Sequence, residues 1–141
     1  MLPTQQVFLI AALLCLLSFL VLYSFRSNAV RGLNQVLLAT VLGMVGNALY
    51  AFGRELPPVL AFEAANGVYA AATAALLVGY RNLFRQRSHV KLLCIAVATL
   101  VWLIAIFHYL VDSFFARSVI VSAFQVAMAA GVASTLLRAR S

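Results

Sequence analysis

The stretch Val7–Phe25 reads VFLIAALLCLLSFLVLYSF and contains no charged residue. An apolar run of about 20 residues is long enough to cross a hydrocarbon core of about 30 Å as a helix. Further apolar runs of similar length follow it at Val36–Phe52, Pro58–Tyr80, Leu92–Val111 and Val119–Leu137. The sequence therefore predicts an all-α integral membrane bundle of five transmembrane helices, which forms one domain over residues 1–141.

The composition also indicates that the partner of this chain is a lipid bilayer. Hydrophobic residues make up 65% of the chain and charged residues 9%, whereas about 25% of a soluble domain is charged. The net charge of +7 raises the question of nucleic-acid binding. The basic residues lie at the predicted helix ends and form no patch on one face, so we do not expect nucleic acid as a partner.

Basic residues are distributed unevenly among the gaps between the apolar runs. The gaps after the first, third and fifth runs hold Arg26, Arg31, Arg81, Arg85, Arg87, Lys91, Arg138 and Arg140. The gaps after the second and fourth runs hold only Arg54 and Arg117. Because Lys and Arg are enriched in cytoplasmic loops, this pattern predicts an N-terminus outside and a C-terminus in the cytoplasm. The residues before the first run include no Lys or Arg, so we do not interpret that run as a cleaved signal peptide.

Small residues at four-residue spacing indicate where helices approach closely in a membrane. Two such ladders occur in the third and fifth runs, at Gly67, Ala71, Ala75, Gly79, Ala123, Ala127 and Gly131. We interpret both ladders as packing seams inside the bundle. The ladder in the fifth run is also a candidate homodimer face, and we expect a homodimer.

Polar groups at membrane depth are costly and are by default functional candidates. In this chain they gather toward the outer ends of four helices. The candidate ligand-binding residues are Asn47, Tyr50, Glu63, Asn66, Tyr69, His108, Asp112 and Gln125. We expect them to line one outward-facing cup, with the two tyrosines as its apolar walls.

The chemistry expected of this cup depends on its titratable groups. Glu63 would offer a carboxylate to an amine or a hydroxyl group of the ligand. His108 and Asp112 are four residues apart, so on one helix they would be neighbours and could pair. The paired imidazole would be a donor that changes charge near neutral pH. In the alternative interpretation they form only a satisfied pair at a helix end.

The other polar candidates have structural interpretations too. The amides of Asn47 and Asn66 would serve as interhelical hydrogen-bonding groups. Glu63 would pair with Arg54 or Arg117 near the interface. The hypothesis of a shared cup depends on the convergence of several residues at one depth. It does not depend on any single residue.

Catalytic and metal-binding patterns are missing from the sequence. It contains no HExxH or GxSxG motif and no Cys–His cluster at metal-ligand spacing. We therefore expect no enzyme activity, no catalytic residue, no metal and no cofactor. Cys15 and Cys94 are interpreted as small apolar packing residues.

Four short patterns carry a family resemblance. They are Ala29–Leu33, Gly46–Pro57, Ala65–Asn66 and Gly79–Phe84. Through them the chain resembles, along essentially its whole length, the N-terminal membrane-embedded sensor region of proteobacterial diguanylate cyclases of the GGDEF class. The resemblance implies a sensor domain in the bacterial inner membrane whose last helix leads into a cytosolic domain that makes cyclic di-GMP. No GGDEF motif is present, so such a catalytic domain would lie beyond this chain.

The sequence thus favours a receptor domain that binds a small ligand from the periplasmic side and signals through its fifth helix. Two alternatives remain open. The first is a small proton- or cation-coupled transporter or channel subunit that uses Glu63. The second is a scaffold subunit without a ligand of its own.

Overall fold

The computed structural model describes residues 3–140, and the regular elements in this range are all helical. The helices are α1 (Thr4–Ser24), α2 (Leu33–Ala51), α3 (Ala65–Leu83), α4 (Val90–Tyr109) and α5 (Phe114–Arg140). A 3₁₀ turn, Arg26–Asn28, follows α1, and a π-helical turn, Leu60–Ala64, continues directly into α3. Five helical segments are long and apolar enough to cross a membrane. The predicted all-helical fold with five candidate spans is therefore confirmed.

Helix α3 lies at the centre of the bundle and packs against α2, α4 and α5, while α1 packs against α2. The core lies where α3 meets α4, and Ala70 of α3 contacts the buried Leu100 and Ile104 of α4 there. By contrast, α1 has no buried residue although most of its side chains are apolar. An apolar surface of this kind is suited to lipid and not to water.

The contact between α2 and α3 depends on two glycines. Gly32 precedes α2 with a φ of 79°, a conformation that residues with a Cβ atom rarely adopt. A Cβ at this position would clash with the backbone carbonyl of Gly79. A Cβ at Gly79 would in turn lie 2.6 Å from Cγ2 of Val36. The two backbones approach this closely because neither position carries a side chain.

The small-residue ladders only partly coincide with helix contacts. Gly67 and Gly79 of α3 lie directly against α4 and α2, and Gly131 of α5 lies against α3. Ala71 and Ala75 instead line an open apolar groove of about 430 Å³ whose other walls come from α2 and α4. The remaining ladder positions, Ala123 and Ala127, are exposed on α5.

Two prolines separate α2 from the next span. The carbonyl of Pro57 accepts hydrogen bonds from the N–H groups of Leu60 and Ala61, at 2.9 and 3.0 Å, and the chain is helical from Pro58 onward. Proline fits this first helical position because its missing N–H would have no partner there. The helix then widens into the π-helical turn, a feature that is frequent at functional sites.

Helix α5 begins at Phe114, whereas the hydropathy pattern places its start at Val119. Ser113 accounts for the difference because it caps the helix. Its Oγ accepts the N–H of Ala116 at 3.2 Å, and its carbonyl accepts the N–H of Arg117 at 3.2 Å. Arg117 is therefore part of the first turn of α5 and not of the preceding loop.

Candidate ligand-binding site

An open cavity of about 500 Å³ lies at the end of the bundle that carries the α2–α3 and α4–α5 connections. We call it the Arg117 cavity. Its apolar wall consists of Ala61, Phe62, Ile104, Phe114 and Val121. Its polar lining consists of Tyr50, Arg54, Asn66, Arg117, Ser118 and Ser122. The end of α2, the π-helical turn, α3, α4 and α5 thus all contribute to one site.

Tyr50 and Asn66 fix the wall of the cavity between α2 and α3. The hydroxyl of Tyr50 donates to Oδ1 of Asn66 at 2.5 Å, and Nδ2 of Asn66 donates to the carbonyl of Phe62 at 2.7 Å. The Tyr50 ring stacks on Phe8 of α1 with 5.0 Å between centroids and meets Tyr69 edge-on at 6.1 Å. The Tyr50 ring therefore connects three helices.

Arg117 is the most unusual side chain of the cavity, because it is only 13% exposed and its ion pair is a long one to an exposed carboxylate. Its guanidinium lies over the ring of Phe62, 5.2 Å from the centroid. Its nearest carboxylate oxygen, on Asp112, is 4.0 Å from Nη2, and the Asp112 side chain is 89% exposed. Its Nη1 is buried and has no hydrogen-bond partner among residues 3–140. A buried donor without a partner is costly, and more so when it is charged.

A second cation lines the same cavity. Arg54 follows α2 and is exposed, and it makes no ion pair or hydrogen bond with the part of the chain that the structure describes. None of the residues that line the Arg117 cavity in this part of the chain is acidic. The cavity therefore combines two guanidinium groups with two hydroxyl groups, Ser118 and Ser122, on one helix.

Glu63 and His108 form a hydrogen-bonded pair between the π-helical turn and α4, next to the cavity but outside its lining. Oε1 of Glu63 meets Nδ1 of His108, whose ring also contacts Phe62 edge-on and stacks on Tyr109. The side chains are 9% and 15% exposed, respectively. Oε2 of Glu63 is buried and finds no partner within residues 3–140.

The expected pairing of His108 with Asp112 is wrong, and so is the alternative pairing of Glu63 with an arginine. Helix α4 ends at Tyr109, and Asp112 has a left-handed backbone with a φ of 46°. The rule that residues four apart are neighbours holds only while the helix continues. Past the helix end, the Asp112 side chain points outward and leaves His108 to Glu63.

The other residues proposed for the cup do not lie together. Nδ2 of Asn47 donates to the carbonyl of Gly43 at 2.8 Å and lies 3.9 Å from Sγ of Cys15, so this amide faces α1. Tyr69 packs against Gly46 of α2. Gln125 is half-buried on α5 and does not line the cavity.

Of the eight candidates, therefore, Tyr50 and Asn66 line the Arg117 cavity, and Glu63 and His108 lie next to it. The hydropathy pattern does not predict Arg117 as a cavity residue, because it places this arginine in a loop. Ser113 was the available signal for Arg117, because a serine directly before an apolar run is a favoured helix N-cap.

Residues 3–140 contain no cluster of three or more His, Cys, Asp or Glu side chains suited to a metal ion.

The end of the bundle opposite to the Arg117 cavity is basic. A cavity of about 690 Å³ there is lined by the basic side chains of Arg81, Arg87, His89 and Arg138. All three acidic residues of the chain, Glu55, Glu63 and Asp112, lie in or beside the other end.

Comparison of the chain with protein-family models, with curated proteins and with solved structures gave no match. The resemblance to the sensor regions of diguanylate cyclases therefore rests on the short sequence patterns alone.

Proposed function

We propose that this protein is a membrane-embedded signal-sensing domain of the bacterial inner membrane, which binds a small ligand in the Arg117 cavity from the periplasmic side. In this proposal the N-terminus lies outside and the C-terminus in the cytoplasm, in line with the distribution of basic residues. The effector is a cytosolic domain beyond residue 141, such as a diguanylate cyclase that makes cyclic di-GMP. The chain itself is not an enzyme.

The observation that carries this proposal is the position of α5. Its first turns supply Phe114, Arg117, Ser118 and Ser122 to the cavity, and the helix continues unbroken to Arg140. With 27 residues, it is about 40 Å long at about 1.5 Å per residue. A ligand in the cavity thus contacts the same helix that leads out of the opposite end of the bundle. Such a ligand shifts α5 between two positions to the extent that it binds one position more tightly.

A homodimer would give this movement an output, because two copies of α5 would bring two effector domains together. Ala123 and Ala127 support this part of the proposal, since both are exposed on α5 at four-residue spacing. Small residues at this spacing allow two helices to approach closely in a membrane. The proposed dimer face is therefore the stripe of α5 that includes these two alanines.

The experiment fills the cavity covalently and needs no knowledge of the natural ligand. A diguanylate cyclase catalytic domain is fused after residue 141, and Cys15 and Cys94 are replaced by serine. Ser122→Cys is then labelled with benzyl methanethiosulfonate, and cyclic di-GMP production is measured. We expect the label to change production several-fold. The matched control is Val126→Cys, which lies one helical turn further along α5 at a position that is 68% exposed and outside the cavity lining.

Equal output from both labelled variants and from the unlabelled protein would contradict a sensing role.

The buried Glu63–His108 pair favours a second candidate, a proton- or cation-coupled transporter or channel subunit, because one carboxylate oxygen has no partner. Transport predicts proton or cation flux in liposomes that Glu63→Gln abolishes. Flux of this kind without any effect of the label would replace the sensor by the transporter.

A further inference from the structure

We propose that the ligand of the Arg117 cavity is a small organic anion, with a carboxylate or phosphate group attached to an apolar body. This inference rests on the proposed function and names the class of ligand. The carboxylate of Glu63 predicts a ligand with an amine or hydroxyl group. In the structure, however, this carboxylate binds His108 and lies outside the cavity lining, so we replace that expectation.

Charge is the first argument for an anion. The Arg117 cavity contains two guanidinium groups and no acidic residue among the described residues of its lining. Asp112, the nearest carboxylate to Arg117, is at 4.0 Å and largely in solvent, so it leaves most of the charge uncompensated. A cation would be repelled by this lining, whereas an anion would supply the partner that Nη1 of Arg117 lacks. Arginine binds carboxylate and phosphate groups with paired, charge-assisted hydrogen bonds.

The geometry of α5 is the second argument. Ser118 and Ser122 are one helical turn apart, and both line the cavity beside Arg117. Their hydroxyl groups can donate to the oxygens of an anion. The cavity also lies at the N-terminal end of a helix of 27 residues, where the helix dipole favours negative charge. Tyr50 and Asn66 already bond to each other and serve as a fixed wall.

The apolar wall is the third argument, and it favours a ligand with an apolar body over a bare inorganic ion. Phe62, Phe114 and Ile104 face the same space as the arginines. The volume of about 500 Å³ lies within the range of about 300–1,000 Å³ that is usual for small-molecule sites. Phe62 also holds the guanidinium of Arg117 in place through a cation–π contact. A ligand that satisfies both halves of the site has an acidic group and a ring or short chain.

The test uses three probes of similar shape and different charge, namely phenylacetate, 2-phenylethanol and 2-phenylethylamine. The purified full chain in a neutral detergent is titrated with each probe by isothermal calorimetry. We expect phenylacetate to bind at least about tenfold more tightly than either other probe, which corresponds to about 1.4 kcal/mol. Arg117→Gln should weaken phenylacetate by a factor of about ten or more, as expected for the loss of a charge-assisted pair.

Two further variants keep the test decisive if Arg117→Gln does not fold. Arg54→Gln changes an exposed loop residue, and Ser118→Ala removes one hydroxyl group from the cavity. Both should weaken phenylacetate binding. The charge-matched control is Arg26→Gln, which removes an arginine that stacks on Tyr23 at the opposite end of α1 and should leave binding unchanged.

A lipid headgroup and a free acid share this chemistry, and nanodiscs distinguish the two sources. If phosphatidylglycerol nanodiscs weaken phenylacetate binding relative to phosphatidylcholine nanodiscs, and Arg117→Gln removes the difference, the anion is a lipid headgroup. If the lipid makes no difference, the anion is a free acid. Tighter binding of 2-phenylethylamine or 2-phenylethanol, or phenylacetate binding that is unchanged in the cavity variants, would overturn the inference. The sensing proposal would then still be tested separately by the Ser122→Cys label.

Discussion

Glu63 and His108 show how a buried polar pair is organised at the level of single residues. The imidazole is enclosed by the carboxylate, by the edge of Phe62 and by the stacked ring of Tyr109. The π-helical turn adds one residue to a turn of the helix. A turn of this kind changes which side chains face a neighbouring helix. The pair links the start of the third span to the end of α4, next to the cavity wall.

This arrangement predicts different costs for the two acidic residues near His108. Glu63→Leu should lower the unfolding free energy by about 1–3 kcal/mol, because it leaves a largely enclosed imidazole without its hydrogen-bond partner. Asp112→Asn should cost about 0–1 kcal/mol, since its ion pair with Arg117 is long and the Asp112 side chain is exposed. Thermal unfolding in detergent measures both. A larger destabilisation by Asp112→Asn than by Glu63→Leu would show that Asp112, and not Glu63, supports the histidine.

At the scale of the elements, α3 carries small residues on two faces, of which one is packed and the other is open. Ala70 is fully buried against α4, while Ala71 lines the open groove between α2 and α4. Sequence spacing alone places Ala71 and Ala75 in the same ladder as two glycines. In the structure the fully buried position against α4 is Ala70, one residue before Ala71.

Substitution by leucine should therefore separate the two faces. Ala70→Leu should destabilise the protein by about 1–3 kcal/mol, because extra volume in a packed contact forces neighbouring side chains out of their rotamers. Ala71→Leu is the matched control, one residue along the same helix, and its side chain can enter the groove. Comparison of their unfolding midpoints tests the assignment. A stable Ala70→Leu protein beside an unfolded Ala71→Leu protein would restore the seam that the sequence pattern indicated.

Over the whole molecule, charge is divided between the two ends of the bundle. The end opposite to the Arg117 cavity carries eight Lys and Arg side chains and none of the three acidic residues. This division is the basis of the proposed orientation, because the more basic end is expected on the cytoplasmic side. It also separates the cavity, where a ligand would bind, from the end where α5 would pass a signal on.

Reporter fusions test this orientation. A reporter inserted at Arg87 should give a cytoplasmic reading, and one inserted between Arg54 and Pro57 should give a periplasmic reading. Lys and Arg are enriched in cytoplasmic loops, and the loop that contains Arg87 is rich in them. A reporter at Val30 is the internal control, since it should agree with Arg87. Inverted readings at all three sites would place the Arg117 cavity in the cytoplasm and contradict a receptor for periplasmic ligands.

The sequence by itself determined the five apolar helices and their approximate bounds, because hydropathy is a local property and the bilayer sets the required length. It also located the polar level that contains Tyr50, Asn66, Glu63 and His108. Only the tertiary structure decided which of these groups meet. Glu63 and His108 are 45 residues apart, and local spacing carries no information on such a contact. Likewise, the cap at Ser113 placed Arg117 inside the cavity, since the first turn of a helix fixes where its side chains point.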